Sequence, residues 1–125
     1  MSLLESGEMY LETIYVLSKK SNYVRAIDVG EHMGYTKPSV SRALSRLKAD
    51  GYVTADHDGY LSLTESGLQV ARTIYERHLV LTEWLTRLGV NNQIAAQDAC
   101  RIEHVISATS FDALKRHLHL DDDIL

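Results

Sequence analysis

The stretch Tyr35-Thr36-Lys37-Pro38-Ser39-Val40-Ser41-Arg42-Ala43-Leu44-Ser45-Arg46-Leu47-Lys48 decides the fold of this 125-residue chain. Thr36 is an N-cap residue type, and Pro38 sits in the first helical turn, where its missing N–H is tolerated. Val40, Ala43, Leu44 and Leu47 then recur at helical spacing as a buried stripe. Off that stripe stand Lys37, Ser39, Ser41, Arg42, Arg46 and Lys48, and no acidic residue lies between 37 and 48. Gly51 closes the helix.

Working outward, Tyr10, Leu11, Ile14, Tyr15 and Leu17 give an apolar side to a first helix over about 3–20, ended by Ser21-Asn22. A short second helix, about 26–33, stops at Gly34. After the basic helix, 52–56 and 60–63 are short alternating runs joined by His57-Asp58-Gly59. Asp-Gly between such runs predicts a hairpin. Thr64 caps a long helix over about 65–88 that stops at Gly89, and two more helices follow, about 93–106 and 110–120. The acidic tail Asp121-Asp122-Asp123 is expected to fray. Helix, helix, turn, helix, hairpin is the order of a winged helix-turn-helix. The expected fold is thus mostly α with a small β-hairpin wing. A DNA-binding domain over 1–64 precedes an all-helical domain over 65–125.

Composition narrows the class. The chain is 45% hydrophobic and 24% charged, which is ordinary for a globular protein. No apolar run reaches the roughly 18–20 residues of a spanning helix, and no secretory pattern opens the chain. With one cysteine no intramolecular disulfide forms, so a cytoplasmic location is expected. The net charge of −4 excludes a nonspecific polycation. A local cluster of four basic residues over 37–48 reads either as a solvated helix face or as a DNA-facing one. A major groove admits one α-helix with its N-terminal residues toward the base edges. Arg42 can fork onto a guanine, Ser39 and Ser41 suit a phosphate or a base edge, and Lys37 and Arg46 suit phosphates. His57, between two acids, makes the wing a weak DNA contact. A winged helix that binds protein is the competing reading.

The second half contains Cys100-Arg101-Ile102-Glu103-His104. In a helix, Cys100, Glu103 and His104 fall within an arc of about 100°. Thiolate, carboxylate and imidazole on one face suit a transition metal. Taken alone, the same residues read as a buried cysteine beside a surface Glu–His pair. On the first helix Met9 and Glu12 are about 60° apart, away from the core side. A methionine there is either a soft metal donor or ordinary packing. His78 alone reads as a partly exposed helix residue, and His32, His57, His117 and His119 show no ligand pattern.

Four segments together resemble the diphtheria toxin repressor / manganese transport regulator family: Glu8-Met9-Tyr10-Leu11-Glu12-Thr13-Ile14-Tyr15, Lys37-Pro38-Ser39-Val40-Ser41, Arg77-His78, and Asp98-Ala99-Cys100-Arg101-Ile102-Glu103-His104-Val105. The resemblance covers about residues 5–120. It implies a metal-dependent transcriptional repressor that is a homodimer, with divalent metal held between a winged helix and a helical dimerisation domain. The iron-responsive branch implies Met9, Cys100, Glu103 and His104 as ligands; the manganese branch adds Glu12 and His78. The chain thus looks like a hybrid. An ancillary site of the iron branch is in doubt, because Thr82 and Ala96 stand where it has a glutamate and a histidine.

These readings converge on a metal-activated repressor of double-stranded operator DNA, with Thr36, Lys37, Pro38, Ser39, Ser41, Arg42 and Arg46 at the DNA. Fe(II) is the expected metal and Mn(II) the next, since sulfur donors disfavour magnesium and calcium. No membrane or protein partner is inferred. A metal-independent regulator that senses oxidants through Cys100 is the alternative, and a small metallohydrolase using Glu103 lacks a phosphate cradle or nucleophile–base pair. The charge pattern makes one prediction: DNA affinity falls steeply with salt, with a log–log slope of about −0.9 per phosphate neutralised. Binding that is flat from low to high salt would contradict it.

Overall fold

The structure, a computed structural model, describes residues 3–122, with 120–122 described by their backbone alone. Six helices and one two-stranded sheet form in the order α1 (Glu5–Ser18), α2 (Ala26–Met33), α3 (Lys37–Ala49), β1 (Val53–Ala55), β2 (Leu61–Leu63), α4 (Glu65–Arg87), α5 (Asn92–Ile102), α6 (Ala108–Asp122). The chain divides into two compact units, one through Thr73 and one from Ile74. The division falls inside α4, whereas the expected boundary at 64/65 marks where that helix starts.

The first unit is a winged helix-turn-helix. Asp28 starts α2 by accepting the Arg25 N–H at 2.9 Å, and Gly34 ends it in the left-handed region at φ 73, where the lack of a Cβ removes the steric penalty. Its N–H and that of Tyr35 both reach the Gly30 carbonyl, at 2.8 and 3.1 Å, which sets the tight turn into α3. The two strands pair antiparallel with Val53 opposite Leu63 and Ala55 opposite Leu61. The Leu61 N–H donates to the Val24 carbonyl at 2.7 Å, so the segment before α2 lies along β2. Tyr10, Leu11 and Ile14 of α1, Val29 of α2, and Val40, Leu44 and Leu47 of α3 are buried in one core with Val53 and Leu61 of the wing. Burial, with Tyr35 beside it, holds the Tyr10 hydroxyl above the usual phenol range.

Where β2 turns into α4, Thr64 ties three strands of backbone together. Its hydroxyl donates to the Gly51 carbonyl at 2.7 Å and accepts the Gly67 N–H at 3.1 Å. Its own N–H donates to the Tyr52 carbonyl at 3.1 Å. Gly67 is buried against that same carbonyl oxygen, and a Cβ there would run into it.

In the second unit, Ile74 and Leu81 of α4, Ala95 and Ala99 of α5, and Phe111 and Leu118 of α6 are buried. Asn91 caps α5 by accepting the Gln93 and Ile94 N–H groups at 2.9 and 3.4 Å. Two expectations need correction. The fifth helix stops at Ile102 rather than near 106: Glu103 is its C-cap, and the Val105 and Ile106 N–H groups both turn back to the Ile102 carbonyl at 3.0 Å. Ser107 then opens α6, its hydroxyl accepting the Ser110 N–H at 3.1 Å. The sixth helix starts at Ala108 rather than 110 and runs through Asp122, past the expected end near 120, with no glycine or proline to stop it; Asp123 lies outside the described residues. No helix of the described chain is long and apolar enough to cross a membrane.

Gly67→Ala is expected to lower stability by about 1–3 kcal/mol, because the obstructing atom is backbone already fixed by Thr64. Thr64→Val is expected to cost about 1 kcal/mol through the lost cap. Urea denaturation measures both, and an unmoved midpoint in Gly67→Ala would contradict the close approach.

Candidate functional site

The basic helix presents the residues assigned to DNA. Thr36 caps α3, its hydroxyl accepting the Ser39 N–H at 3.4 Å and donating to Ser39 Oγ at 3.0 Å. Lys37, Pro38, Ser41, Arg42 and Arg46 are exposed and Ser39 is half-buried. The apolar stripe of Val40, Leu44 and Leu47 takes the opposite role in the core. At the wing tip His57 is open to solvent and lies 3.4 Å from Asp58, and Asp56 accepts the Asp58 and Tyr60 N–H groups at 2.9 and 3.0 Å. The imidazole at the tip thus already has an acidic neighbour.

The sequence reading missed a cluster that joins the start of α2 to the wing. Arg25 donates to the Tyr60 hydroxyl at 3.1 Å and lies over its ring at 4.5 Å, and the Tyr23 ring packs against Tyr60 with centroids 5.2 Å apart. Tyr23 and Tyr60 are 37 residues apart and follow no periodicity, so nothing in the sequence pairs them.

The residues of the second unit expected as metal ligands gather around one carboxylate. Glu103 is wholly buried. Its Oε2 lies 2.9 Å from His78 Nδ1, which brings α4 to the end of α5. Its Oε1 lies 3.3 Å from His104 Nε2, and it makes no hydrogen bond among the described residues. Cys100 is exposed. One ligand atom each from His78, Cys100 and Glu103 lie within 4.8 Å of one another. The expected spacing holds for Cys100 and Glu103, because the cap residue Glu103 keeps right-handed helical dihedrals and donates its N–H to the Ala99 carbonyl at 2.9 Å. Cys100 is in the last turn of α5, Glu103 is the cap, and His104 belongs to the turn beyond. The third member comes from α4.

This set fits a divalent transition metal. Metal–donor bonds are about 2.0–2.3 Å, so donors of one ion lie within roughly twice that of each other. A thiolate, an imidazole and a carboxylate combine soft, borderline and hard donors. The buried oxygen without a hydrogen bond is the acceptor such an ion would satisfy. Thr82, at the doubtful ancillary position, has its hydroxyl engaged with the His78 carbonyl at 2.7 Å. Met9 and Glu12 lie one turn apart on α1, both half-buried.

Comparison with known proteins agrees with both halves. Residues 2–61 match the family described as iron dependent repressor, N-terminal DNA binding domain. Residues 64–120 match iron dependent repressor, metal binding and dimerisation domain. The chain is 30% identical over 109 residues to the HTH-type transcriptional regulator MntR of Lysinibacillus sphaericus, covering 87% of this chain and 78% of that protein. It is 31% identical over 117 residues to the diphtheria toxin repressor of Corynebacterium diphtheriae, covering 93% of this chain and 50% of that protein. The solved structure of the manganese regulator SloR superposes with a TM-score of 0.81 at 25% identity, over 95% of this chain and 55% of that one. The chain therefore spans about three quarters of the first relative and about half of the other two. With both family halves present in order, this chain belongs to the iron-dependent repressor family of metal-dependent transcriptional regulators.

Proposed function

We propose that this protein represses genes of metal homeostasis by binding operator DNA as a homodimer when Fe(II), or next in preference Mn(II), is bound. The observation that carries the reading is the buried Glu103 carboxylate, one oxygen on His78 and the other without a hydrogen bond, within 4.8 Å of a thiol. A carboxylate kept from water is costly unless a cation or donors satisfy it. The proposed ligands are His78, Cys100, Glu103 and His104, with Met9 and Glu12 of α1 completing the set. When bound, the cation supplies a positive centre that cross-links its ligands. Residues 1–64 are assigned to DNA binding and 65–125 to metal binding and dimerisation.

On this reading each residue has a chemical task. Cys100 and Met9 supply sulfur, which favours iron over magnesium or calcium. Glu12, Glu103 and the imidazoles supply the harder donors that also accept manganese. Arg42 reads a base edge, Lys37 and Arg46 hold phosphates, and Thr36, Pro38, Ser39 and Ser41 set the entry of α3 into the groove. In the second unit Leu79, Leu88, Ile94 and Val105 are each more than half exposed, which supports a homodimer through this half.

Several measurements bear on this. In anaerobic titrations monitored by DNA binding, Fe(II) is expected to activate at lower free concentration than Mn(II), and Cys100→Asp to move the preference toward Mn(II). Activation by Mn(II) at far lower concentration than Fe(II) would overturn the iron assignment. At 100 times its Kd, bound metal stabilises the fold by about 2.7 kcal/mol; Glu103→Gln is expected to lose that gain while remaining folded without metal. Arg42→Ala is expected to weaken specific DNA binding by about 1–3 kcal/mol. DNA binding that survives chelation but is abolished by peroxide would replace this reading with oxidant sensing at Cys100.

A further inference from the structure

Arg77 immediately precedes His78 on α4, yet its contacts are with the backbone that carries the neighbouring ligands. One guanidinium nitrogen, Nη1, donates to the Glu103 carbonyl at 3.2 Å and to the Ile106 carbonyl at 3.0 Å. The guanidinium carbon lies 5.7 Å from the centroid of the buried Phe111 ring of α6. Lys115 lies 5.8 Å from the same centroid and pairs with Glu76 of α4 at 3.0 Å. The arginine is thus held by α6 while it grips the end of α5.

The grip meets a specific need. A helix that ends leaves its last carbonyls without partners. At α5 the Ile102 carbonyl is satisfied by its own turn, through Val105 and Ile106. The Glu103 and Ile106 carbonyls are the two that Arg77 takes. They bracket His104, so the clamp fixes the four-residue turn 103–106 from both ends. Nothing in Val105-Ile106 would stop the helix by itself, since neither residue is a glycine or a proline. One step along α4 therefore supplies a ligand at 78 and, at 77, the brace on the backbone of two others.

We propose that Arg77 is a positioning residue of the metal centre: by clamping the Glu103 and Ile106 carbonyls it presets the placement of the Glu103 carboxylate and His104 imidazole relative to His78 and Cys100. It does not touch the ion. Its effect is on metal affinity and coordination geometry, because an unclamped turn must be ordered at the moment of binding. The proposal rests on the metal-centre reading above. Groups that hold a ligand in place typically govern affinity by about 10–100-fold.

The test uses Co(II) as the probe and the full chain as wild type, Arg77→Gln, Arg77→Lys, and Val53→Ala as a control destabilised in the wing core. Affinity comes from competition with a chromophoric chelator. Geometry comes from the d–d bands and the Cys100 thiolate-to-cobalt charge-transfer band, and stability without metal from urea denaturation. Arg77→Gln is expected to bind Co(II) about 10–100-fold more weakly with shifted d–d bands. Arg77→Lys, with a donor but no planar fork, is expected to fall between Arg77→Gln and wild type. Val53→Ala is expected to lose stability and keep wild-type affinity and spectrum. Co(II) bound by Arg77→Gln within twofold of wild type and with unchanged bands would overturn the proposal, as would an equal loss in Val53→Ala. If Arg77→Gln does not fold, wild-type affinity and bands in Arg77→Lys would overturn it instead. Failure of the wild type itself to show a thiolate band would overturn the metal-centre reading and this proposal together, a result distinct from an inert Arg77.

Discussion

A carboxylate withdrawn from water is the constraint on which the second half of this protein turns. Glu103 has no exposed surface, and a buried charge without compensation is among the costliest features a fold can hold. One oxygen faces His78 and the other faces His104 at 3.3 Å without a hydrogen bond. A divalent ion at this point would complete a donor set that the protein half-supplies. The placement follows from where α5 stops. Glu103 caps α5 with its N–H still on the Ala99 carbonyl, His104 follows in the turn beyond, and the carboxylate meets His78 of α4.

The first unit solves a different problem, how an acidic chain binds a polyanion. The answer is separation. Four cations and no acids lie along 37–48, and the apolar stripe of the same helix anchors them on the core shared by α1, α2 and the wing. The wing tip adds no lysine or arginine over 56–59, and its one imidazole lies beside Asp58. Thr64 and Gly67 then fasten the hairpin to the start of α4, through the Thr64 hydroxyl and the close approach of Gly67 to the Tyr52 carbonyl. Family membership joins the two halves into one regulator, a DNA-binding part followed by a metal-binding and dimerisation part.

What the sequence made legible was local. Thr36 and Pro38 announced the start of α3, Gly34 and Gly89 the ends of α2 and α4, and Asp58-Gly59 the hairpin, because each acts within a few residues of itself. The apolar stripes of α1 and α3 were equally plain. The end of α5 was not legible, because neither Val105 nor Ile106 is a stop residue and the carbonyl of its cap, Glu103, is taken by a guanidinium 26 residues upstream. Nor was the true start of α6, where Ser107, Thr109 and Ser110 are all cap types and only Ser107 serves. The grouping of Cys100 with Glu103 was legible as helical spacing, which the cap residue Glu103 still keeps. His78 came from resemblance alone, since no periodicity links it to Glu103. The Arg25–Tyr60–Tyr23 cluster depends on the same kind of long-range contact.

The central claim is that metal and DNA binding are coupled in this chain, and coupling between sites is reciprocal. The most direct test is the affinity of the protein for Fe(II) and for Mn(II), measured anaerobically with and without a duplex selected in vitro for binding in the presence of that metal. The account predicts that the duplex tightens metal binding by about 5–150-fold, the range of a typical coupling energy. Metal affinity that is the same with and without the duplex, for both ions, would contradict it.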